Sequence, residues 1–434
     1  AREHGILLAI VDIFKCPTLA TLAHLIDSRQ AHTSDGLEVS ILREEDRAKL
    51  PAHIEDAYAL TMLQMGMVVD NQREQEYGLY HEMVSTGLEL PEWKPEVMQE
   101  VLDAMCRKHP VLRTSFDLHN YSEPLQLVHK VARIKMQITD ISHLDNEAQE
   151  AAIAEFVDVE RKTGFDFTVA PLMRIFIHVR GPRTIQYTLS GHHAIQDGWS
   201  VASMQTELFN QYVAMLKSGA STLNLAPLAI TPRLIAVRER QALQSEVHKT
   251  FWRNYLDDFV YTELPRPEGH FDSAEMNRND HINLQGPLLH KLQALSSELA
   301  VPMRTLLLAA HVRMLSLLSG KDDITTGLVG NVRPEETDGD KVLGLFLNAL
   351  PFRFKLPQGS WKDLIRAVFH NELDVLGHRH YPYFQLYVDN GRQPLYQTHF
   401  NYTNFHVYDN LEAGFKATGN VHAFEGTGEN MVVD

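Results

Sequence analysis

The sequence predicts a mixed α/β protein of two lobes with a short helical segment in front of them. Three observations carry that expectation. Val97, Met98, Val101, Leu102 and Met105 form one stripe at the spacing of an amphipathic helix. Met173, Ile175, Ile177 and Val179 alternate with Arg174, Phe176, His178 and Arg180, and the alternation resumes after Gly181-Pro182 at Ile185, Tyr187 and Leu189, which is the pattern of a β-hairpin. Around residues 218–232 the pattern lapses into Gly, Ser, Pro and short apolar fragments, which marks a lobe boundary before a second set of helix and strand patterns begins.

From the start of the chain, residues 6–14 end in the apolar run Ile10, Val11, Ile13 and Phe14, and Pro17-Thr18 opens a second short helix over Leu19–Ile26. Proline is favoured at a helix start because its missing N–H has no partner to lose there. Asp27–Gly36 is polar and has no apolar period, so it reads as a linker. Mixed α/β patterning begins near Ile54. After the hairpin, Val201, Met204, Leu208, Tyr212 and Met215 fall at helical intervals, so Ser190–Ser200 is expected as a loop between a strand and a helix, a place where chemistry concentrates. In the second lobe a helix is expected over Pro302–Leu318, with strands near Ile324–Leu328 and Leu350–Phe354.

Bulk properties exclude several classes. With 44% hydrophobic and 22% charged residues in 434, the chain has the balance of a folded globular protein of two or three units. A net charge of −16 without any Lys/Arg block argues against nucleic acid as a partner, since phosphate binding needs concentrated positive charge. Cys16 and Cys106 are the only cysteines and have no metal-like spacing, so neither a disulfide framework nor a zinc site is expected, and a reducing cytoplasm fits best. The most apolar stretch, Leu306–Leu318, is interrupted by His311 and Arg313 and is too short to cross a bilayer, so no membrane is expected. The chain opens at Ala1 inside a helical pattern, as an excerpt of something longer does.

The loop reads Gly191-His192-His193-Ala194-Ile195-Gln196-Asp197-Gly198-Trp199-Ser200. Two adjacent imidazoles followed by an acid suit general acid–base chemistry near neutral pH, where histidine titrates unaided. The aspartate can fix a tautomer or hold the loop, and Gly198 permits a tight turn and close approach of a substrate. The commonplace alternative is a hydrogen-bonded core histidine. A His–x3–Asp pair on a helix face could also bind a metal. Gly198 directly after Asp197 disfavours a helix there, and no further ligand pair stands out among the 23 histidines.

His-His-x-x-x-Asp-Gly-Trp-Ser resembles the core motif of the condensation-domain superfamily, and further segments resemble that family's motifs in the same order. They are Tyr58–Met67, Arg107–Phe116, Asn331-Val332-Arg333-Pro334-Glu335, Gly344–Pro351 and Phe400–Phe405. His4–Phe14 with Pro17–Ala23 resembles the last two helices of a peptidyl carrier domain, whose phosphopantetheine-bearing serine would lie before Ala1. The resemblance implies two chloramphenicol-acetyltransferase-like lobes in a V arrangement, preceded by a carrier fragment, with the histidine loop at their junction and a tunnel open on both sides. The divisions are residues 1–30 for the carrier helices, 31–52 for a linker, 53–228 for the N-terminal lobe and 229–434 for the C-terminal lobe, which stops where the family continues into further strands.

The implied function is amide bond formation in nonribosomal peptide synthesis, between an upstream carrier-bound peptidyl or aminoacyl thioester and the amine of a downstream carrier-bound aminoacyl thioester. The phosphopantetheine arms serve as tethers, the carriers and an adenylation domain of the same assembly line are the partners, and no metal is implied. His193 is assigned to the reacting centre, as base or as positioning group, and His192 to support of the loop. Asp197 is taken as structural, paired with Arg333, because a buried carboxylate needs a partner to stay charged. Gly198 would line the passage for the pantetheine arm. Trp199, like Trp252, is expected as a core aromatic supporting the site. Arg113, Gly344 and Asn348 are expected to line the tunnel or bridge the lobes, and Phe346 to share the bridge, with packing of the first lobe the plainer reading for Arg113 and Phe116. An epimerisation domain shares the fold, but carries Glu-Gly-His-Gly-Arg where this chain has Leu328–Arg333, so the acid for Cα proton transfer is missing there. A catalytically silent carrier-docking module is the alternative outside enzymes. The direct run from carrier-like helices into condensation motifs, with no His-His cluster over Glu55–Asp70, implies an L-donor and L-acceptor.

Overall fold

The strand patterns build three sheets, and the helix stripes cover them. The computed structural model describes residues 18–30, 41–73, 79–218, 226–265, 286–404, 406–410, 416–425 and 432–433, with isolated positions at 12, 13, 16, 223, 282 and 284. Helix α1 is Leu19–Gln30, followed by the single turn α2, Glu44–Arg47. The first lobe then comprises β1 (Ile54–Ala59), α3 (Met62–Arg73), β2 (His81–Glu89), α4 (Pro95–Lys108), β3 (Thr114–Asp117), β4 (Leu125–His129), β5 (Gln137–Asp140), α5 (Asn146–Glu160), β6 (Met173–Val179), β7 (Thr184–His192) and α6 (Gly198–Ser218). Beyond it run α7 (Arg233–Gln244), α8 (Glu246–Tyr255), α9 (Pro287–Leu299), α10 (Met303–Ser319), β8 (Asp323–Asn331), β9 (Leu347–Lys355), α11 (Trp361–Leu376), α12 (Tyr383–Asp389), β10 (His399–Phe400), β11 (Lys416–Glu425) and β12 (Val432–Val433).

The expected hairpin is β6–β7, antiparallel from Met173 opposite Gly191 to Val179 opposite Ile185. It forms the middle of a five-stranded sheet in the order β11-β2-β7-β6-β5. β1, β4 and β3 make a small second sheet, and β12-β10-β8-β9 the sheet of the second lobe. The stripe on α4 buries Met98, Val101, Leu102 and Met105 in the first core, together with Leu189 of β7 and Leu208 of α6. A separate core holds Leu308 and Val312 of α10, Phe352 of β9 and Trp252 of α8.

Several expectations change. The helix that opens at Leu19 continues through Gln30, so Asp27–Gln30 is not linker. Residues 41–52, also placed in the linker, belong to the fold: Leu42 packs on Ile54 and Leu125, and Ile41 on Tyr58 and Val128. The expected helix over 6–14 lies outside the described residues except for Asp12 and Ile13. The lobes are not two consecutive stretches, because β11 returns from the C-terminal part to pair antiparallel with β2 of the first sheet. Leu343 and Leu345 likewise sit in the first core. A single cut near residue 228 therefore does not separate the packing units.

Among the described residues no single helix is long and apolar enough to cross a membrane.

Of the buried histidines, three are pushed well below their usual range. Burial, aided by the Arg174 charge, pushes His81 down to about 4, and burial alone pushes His311 down to about 4. His192 falls to about 3 through burial and the neighbouring His193 and His81. An unfolded histidine protonates near pH 6.5, so between roughly pH 6.5 and 4 the unfolded chain binds more protons than the native one. Stability should fall as pH falls through that window. Thermal melting at about pH 7.5 and about pH 5 checks this, and an unchanged midpoint would contradict it.

Candidate active site

Strand β7 delivers the histidine motif, and alternation along it decides the fate of each ring. His192 is its last residue and shares a face with His81 across the β2 pairing. That face is dry. The His192 ring meets Phe167 edge-on at 4.8 Å, its Nδ1 accepts from the Ala194 amide at 3.1 Å, and its Nε2 is buried with no hydrogen-bond partner among the described residues. Below it, Arg174 holds Glu160 at 2.7 Å, Ser190 donates to Glu160 at 2.5 Å, and the His81 Nε2 lies 2.8 Å from Ser190 Oγ. His192 is thus a neutral support of the turn.

His193 lies one residue on and turns the other way. Its amide donates to the Tyr80 carbonyl at 2.8 Å, and its Nδ1 is 2.6 Å from the Gln196 carbonyl. A carbonyl only accepts, so Nδ1 carries a proton and Nε2 is presented outward. There it faces Glu82 Oε1 at 3.4 Å. The turn is held from α3 as well, since the Gln64 amide donates to the Ala194 carbonyl at 2.8 Å. This gives the Tyr58–Met67 motif a physical task.

The expected loop Ser190–Ser200 is shorter than the sequence suggests: β7 runs to His192, a 3-10 turn covers His193–Ile195, and α6 begins at Gly198. Gly198 does not prevent the helix, because Asp197 caps it by accepting from the Ser200 amide at 2.7 Å. The same carboxylate takes Arg333 Nη2 at 3.1 and 3.3 Å and the Phe346 amide at 2.9 Å. Arg333 also donates to Ser200 Oγ at 2.8 Å and to the Gly339 and Val342 carbonyls, and its guanidinium lies 4.4 Å from the Phe346 ring centre. Both charges are buried, and burial holds Arg333 below its usual range despite the aspartate beside it. Gly344 completes the joint, its N–H donating to Ser200 Oγ at 3.1 Å and its carbonyl accepting from that hydroxyl at 2.8 Å. A Cβ at Gly344 would meet the Phe346 ring at 2.8 Å.

His193, His192, Asp197, Gly198, Arg333 and Gly344 are therefore brought together, with Trp199 beside them binding Asp340 of the same joint, whereas two other expected residues stand apart and Trp199 is not buried as expected. Arg113 is neither tunnel nor bridge: it binds the Cys106 carbonyl at 2.8 Å, Glu55 at 2.6 Å and the His129 carbonyl, tying α4, β1 and β4 within the first lobe. Asn348 does not bridge the lobes either. It binds the Arg379 and Tyr381 carbonyls and the Tyr383 amide, fixing the start of α12 against β9. Trp199 is no core aromatic, unlike the buried Trp252; it is partly exposed, donates to the Asp340 carbonyl at 3.0 Å and meets His406 edge-on at 4.9 Å.

Sequence reasoning missed Glu82, Gln64 and Gln196 as site residues. The two glutamines stand inside quoted motifs, but Glu82 carries no local signal, because only the β2–β7 register sets it beside His193. It also alters the case against Cα proton transfer, which rested on a missing acid at 328–333, since a carboxylate does stand 3.4 Å from His193. Among the described residues no group of three or more His, Cys, Asp or Glu side chains could hold a metal ion.

Two lobes with an outward-facing histidine at their joint define the chloramphenicol-acetyltransferase-like class of acyltransferases. Solved structures agree on the fold: the condensation domain of the monacolin K polyketide synthase MokA has a TM-score of 0.69 at 19% identity, covering 85% of this chain and 86% of that one. A variant of the starter condensation domain of the rhizomide synthetase RzmA also gives 0.69, at 18% identity, over 87% and 86%. The condensation-domain family profile matches residues 54–424, and the chain belongs to that family. Condensation domains of nonribosomal peptide synthetases catalyse the acyl transfer that forms amide bonds.

Among curated proteins, the AMB antimetabolite synthetase AmbE of Pseudomonas aeruginosa is 31% identical over 432 residues, 96% of this chain and 20% of AmbE. Tyrocidine synthase 2 of Brevibacillus parabrevis is 26% identical over 336 residues, 77% of this chain and 9% of its own length. The chain spans a fifth or less of these relatives.

Asp197→Ala should destabilise the protein by about 3–5 kcal/mol, because it strands a buried guanidinium and two amides. It should also lower activity. Denaturant unfolding measures the first effect, and a soluble variant with wild-type stability would show that the pair does not hold the joint.

Proposed function

We propose that the chain joins an upstream carrier-bound aminoacyl or peptidyl group to the amine of a downstream carrier-bound aminoacyl group, with His193 at the reacting centre. The observation that carries this reading is the outward presentation of His193 Nε2 from a turn fixed on all sides. Both substrates would arrive on phosphopantetheine arms, loaded by an adenylation domain of the same assembly line, and Gly198 would border their passage. The helix at Leu19–Gln30 and the residues before it would be the end of the upstream carrier.

The chemistry asked of the site is modest. A thioester is already activated, so the acceptor needs a free lone pair, a held attack geometry, and a donor for charge developing on the carbonyl oxygen. His193 Nε2 can accept the amine proton or orient the amine, and the dry support beneath it keeps the ring from wandering. His193→Ala should abolish amide formation between two loaded carriers, read by mass spectrometry, while melting close to wild type. Undiminished product in that variant would remove the residue from the mechanism.

We further infer an L-configured donor. The carrier-like helices run straight into the condensation motifs, which leaves no room between them for an epimerisation domain of several hundred residues. Presented with matched donor thioesters differing only at the terminal Cα, the protein should prefer the L form. Preference for the D form would overturn the stereochemical assignment and leave amide formation intact.

A further inference from the structure

Helix α7 lies between the packing units and touches each of them. Ile235 clusters with Val332, Val342 and Phe346 at the joint held by Asp197 and Arg333, Ala236 clusters with Tyr58 and Val128 of the small sheet, and Ala242 enters the second core. Ion pairs seat the helix there: Arg233 meets Asp56 of β1 at 2.5 Å, Arg240 meets Glu123, and Arg238 meets Glu336 just beyond Arg333. One turn on from Ile235, Glu239 reaches out of α7 to the start of α3, where its Oε1 accepts from the Met62 amide at 2.9 Å. The first amides of a helix have no partner inside it, and its dipole favours an acid at that end. Burial pushes this carboxyl up to about 7 against the pull of the Met62 amide and Arg240; neutral or ionised, it keeps an oxygen for that amide.

What the contact positions is decided two residues further along the same turn of α3. Gln64 has both amide hydrogens and its oxygen committed. It exchanges two hydrogen bonds with Gln126, at 3.1 and 2.9 Å, its oxygen also accepts from the Thr61 amide at 2.9 Å, and its other N–H donates to the Ala194 carbonyl at 2.8 Å. A shift of the turn would break at least one of these bonds. Ala194 follows His193 directly in the 3-10 turn, so a continuous path runs from α7 through Glu239, Met62, Gln64 and Ala194 to the imidazole.

We propose that Glu239 is a positioning residue for the condensation step: it fixes the first turn of α3, and through Gln64 the turn that presents His193, so that the imidazole is aligned only while α7 is seated between the lobes. This rests on the reading that places His193 at the reacting centre. A contact that only stabilised α3 would act independently of Gln64, whereas one that works through Gln64 would not, and paired substitutions separate the two.

Glu239→Leu keeps the bulk and removes the acceptor; Glu239→Gln keeps an acceptor oxygen. With two loaded carriers, the first should lower kcat for amide formation roughly tenfold, the order of one lost hydrogen bond, with KM for either carrier little changed, and the second should restore kcat to within about twofold of wild type. On a Gln64→Ala background, Glu239→Leu should cost no more than about twofold further. Undiminished kcat in a folded Glu239→Leu protein, or the full loss repeated on Gln64→Ala, would overturn the proposal, and Glu239→Ala takes the place of Glu239→Leu if the bulky variant does not fold. A wild type that makes no amide would count against the reading of His193 instead. Glu239 is then judged by NMR: the His193 imidazole signals, identified by their loss in His193→Ala, should shift in Glu239→Leu and return in Glu239→Gln, and signals unmoved in Glu239→Leu would overturn it.

Discussion

The buried ion pair between Asp197 and Arg333 is the constraint on which the rest of the site depends. Taking two charges out of water costs several kcal/mol per ion, and their attraction offsets that only when the remaining hydrogen-bonding capacity is also used. Here the carboxylate has the Ser200 and Phe346 amides as well as the guanidinium, and the guanidinium has Ser200 and two carbonyls, with only its Nε buried without a hydrogen-bond partner among the described residues. Such a pair adds little stability relative to an apolar substitute, but an arrangement that strands either charge without the other is strongly disfavoured. Its effect is positional. It ties the cap of α6 to residues 333–346 and so sets the second lobe's connecting segment on the first lobe's core, where Leu343 and Leu345 are buried.

From that anchor the geometry of the histidines follows. Asp197 sets the start of α6, β7 sets His192, and the few residues between close as a 3-10 turn in which the amides and carbonyls of His193, Ala194 and Gln196 are all taken. Adjacent residues leaving a strand end point to opposite sides, so one imidazole enters an aromatic pocket and stays neutral while its neighbour reaches the edge of the site. Two identical side chains acquire two tasks through burial alone. The dry ring fills space beneath the turn and holds the Ala194 amide.

The lobes are joined at more than the ion pair. β11 crosses from the C-terminal part to extend the first sheet beside β2, the strand that carries Glu82. Asn348 positions the start of α12, which packs against α3, and α3 in turn supplies Gln64 to the histidine turn. A residue expected to bridge the lobes directly thus acts within one lobe on an element that touches the other.

Much of the fold was legible because helices and strands write their periods locally: α4, the β6–β7 hairpin, α6, α10 and the strands β8 and β9 all stand where the apolar spacing put them. The pairing of Asp197 with Arg333 could be anticipated because a buried carboxylate requires a cation, and two of the family-like motifs supplied one partner each. What the sequence left open depends on contacts between distant segments. Polar composition made 27–36 read as linker and the domain division extended it over 31–52, yet Ile41 and Leu42 find apolar partners only once β1 and β4 have paired. Arg113 could be read as tunnel, bridge or packing of the first lobe, because a charge in a motif does not say which buried carbonyls it will meet; its partners all lie in the first lobe, as the plainer reading had it. Trp199 was mistaken for core because a large aromatic at a helix start does not reveal which face will stay partly open. Glu82 had no pattern at all. Its place beside His193 is a matter of strand register, and a slip of one residue would have sent it to the opposite face. Local periodicity determined the elements and the candidate chemistry; only tertiary pairing decided which charges are enclosed, which histidine is dry, and which carboxylate stands beside His193.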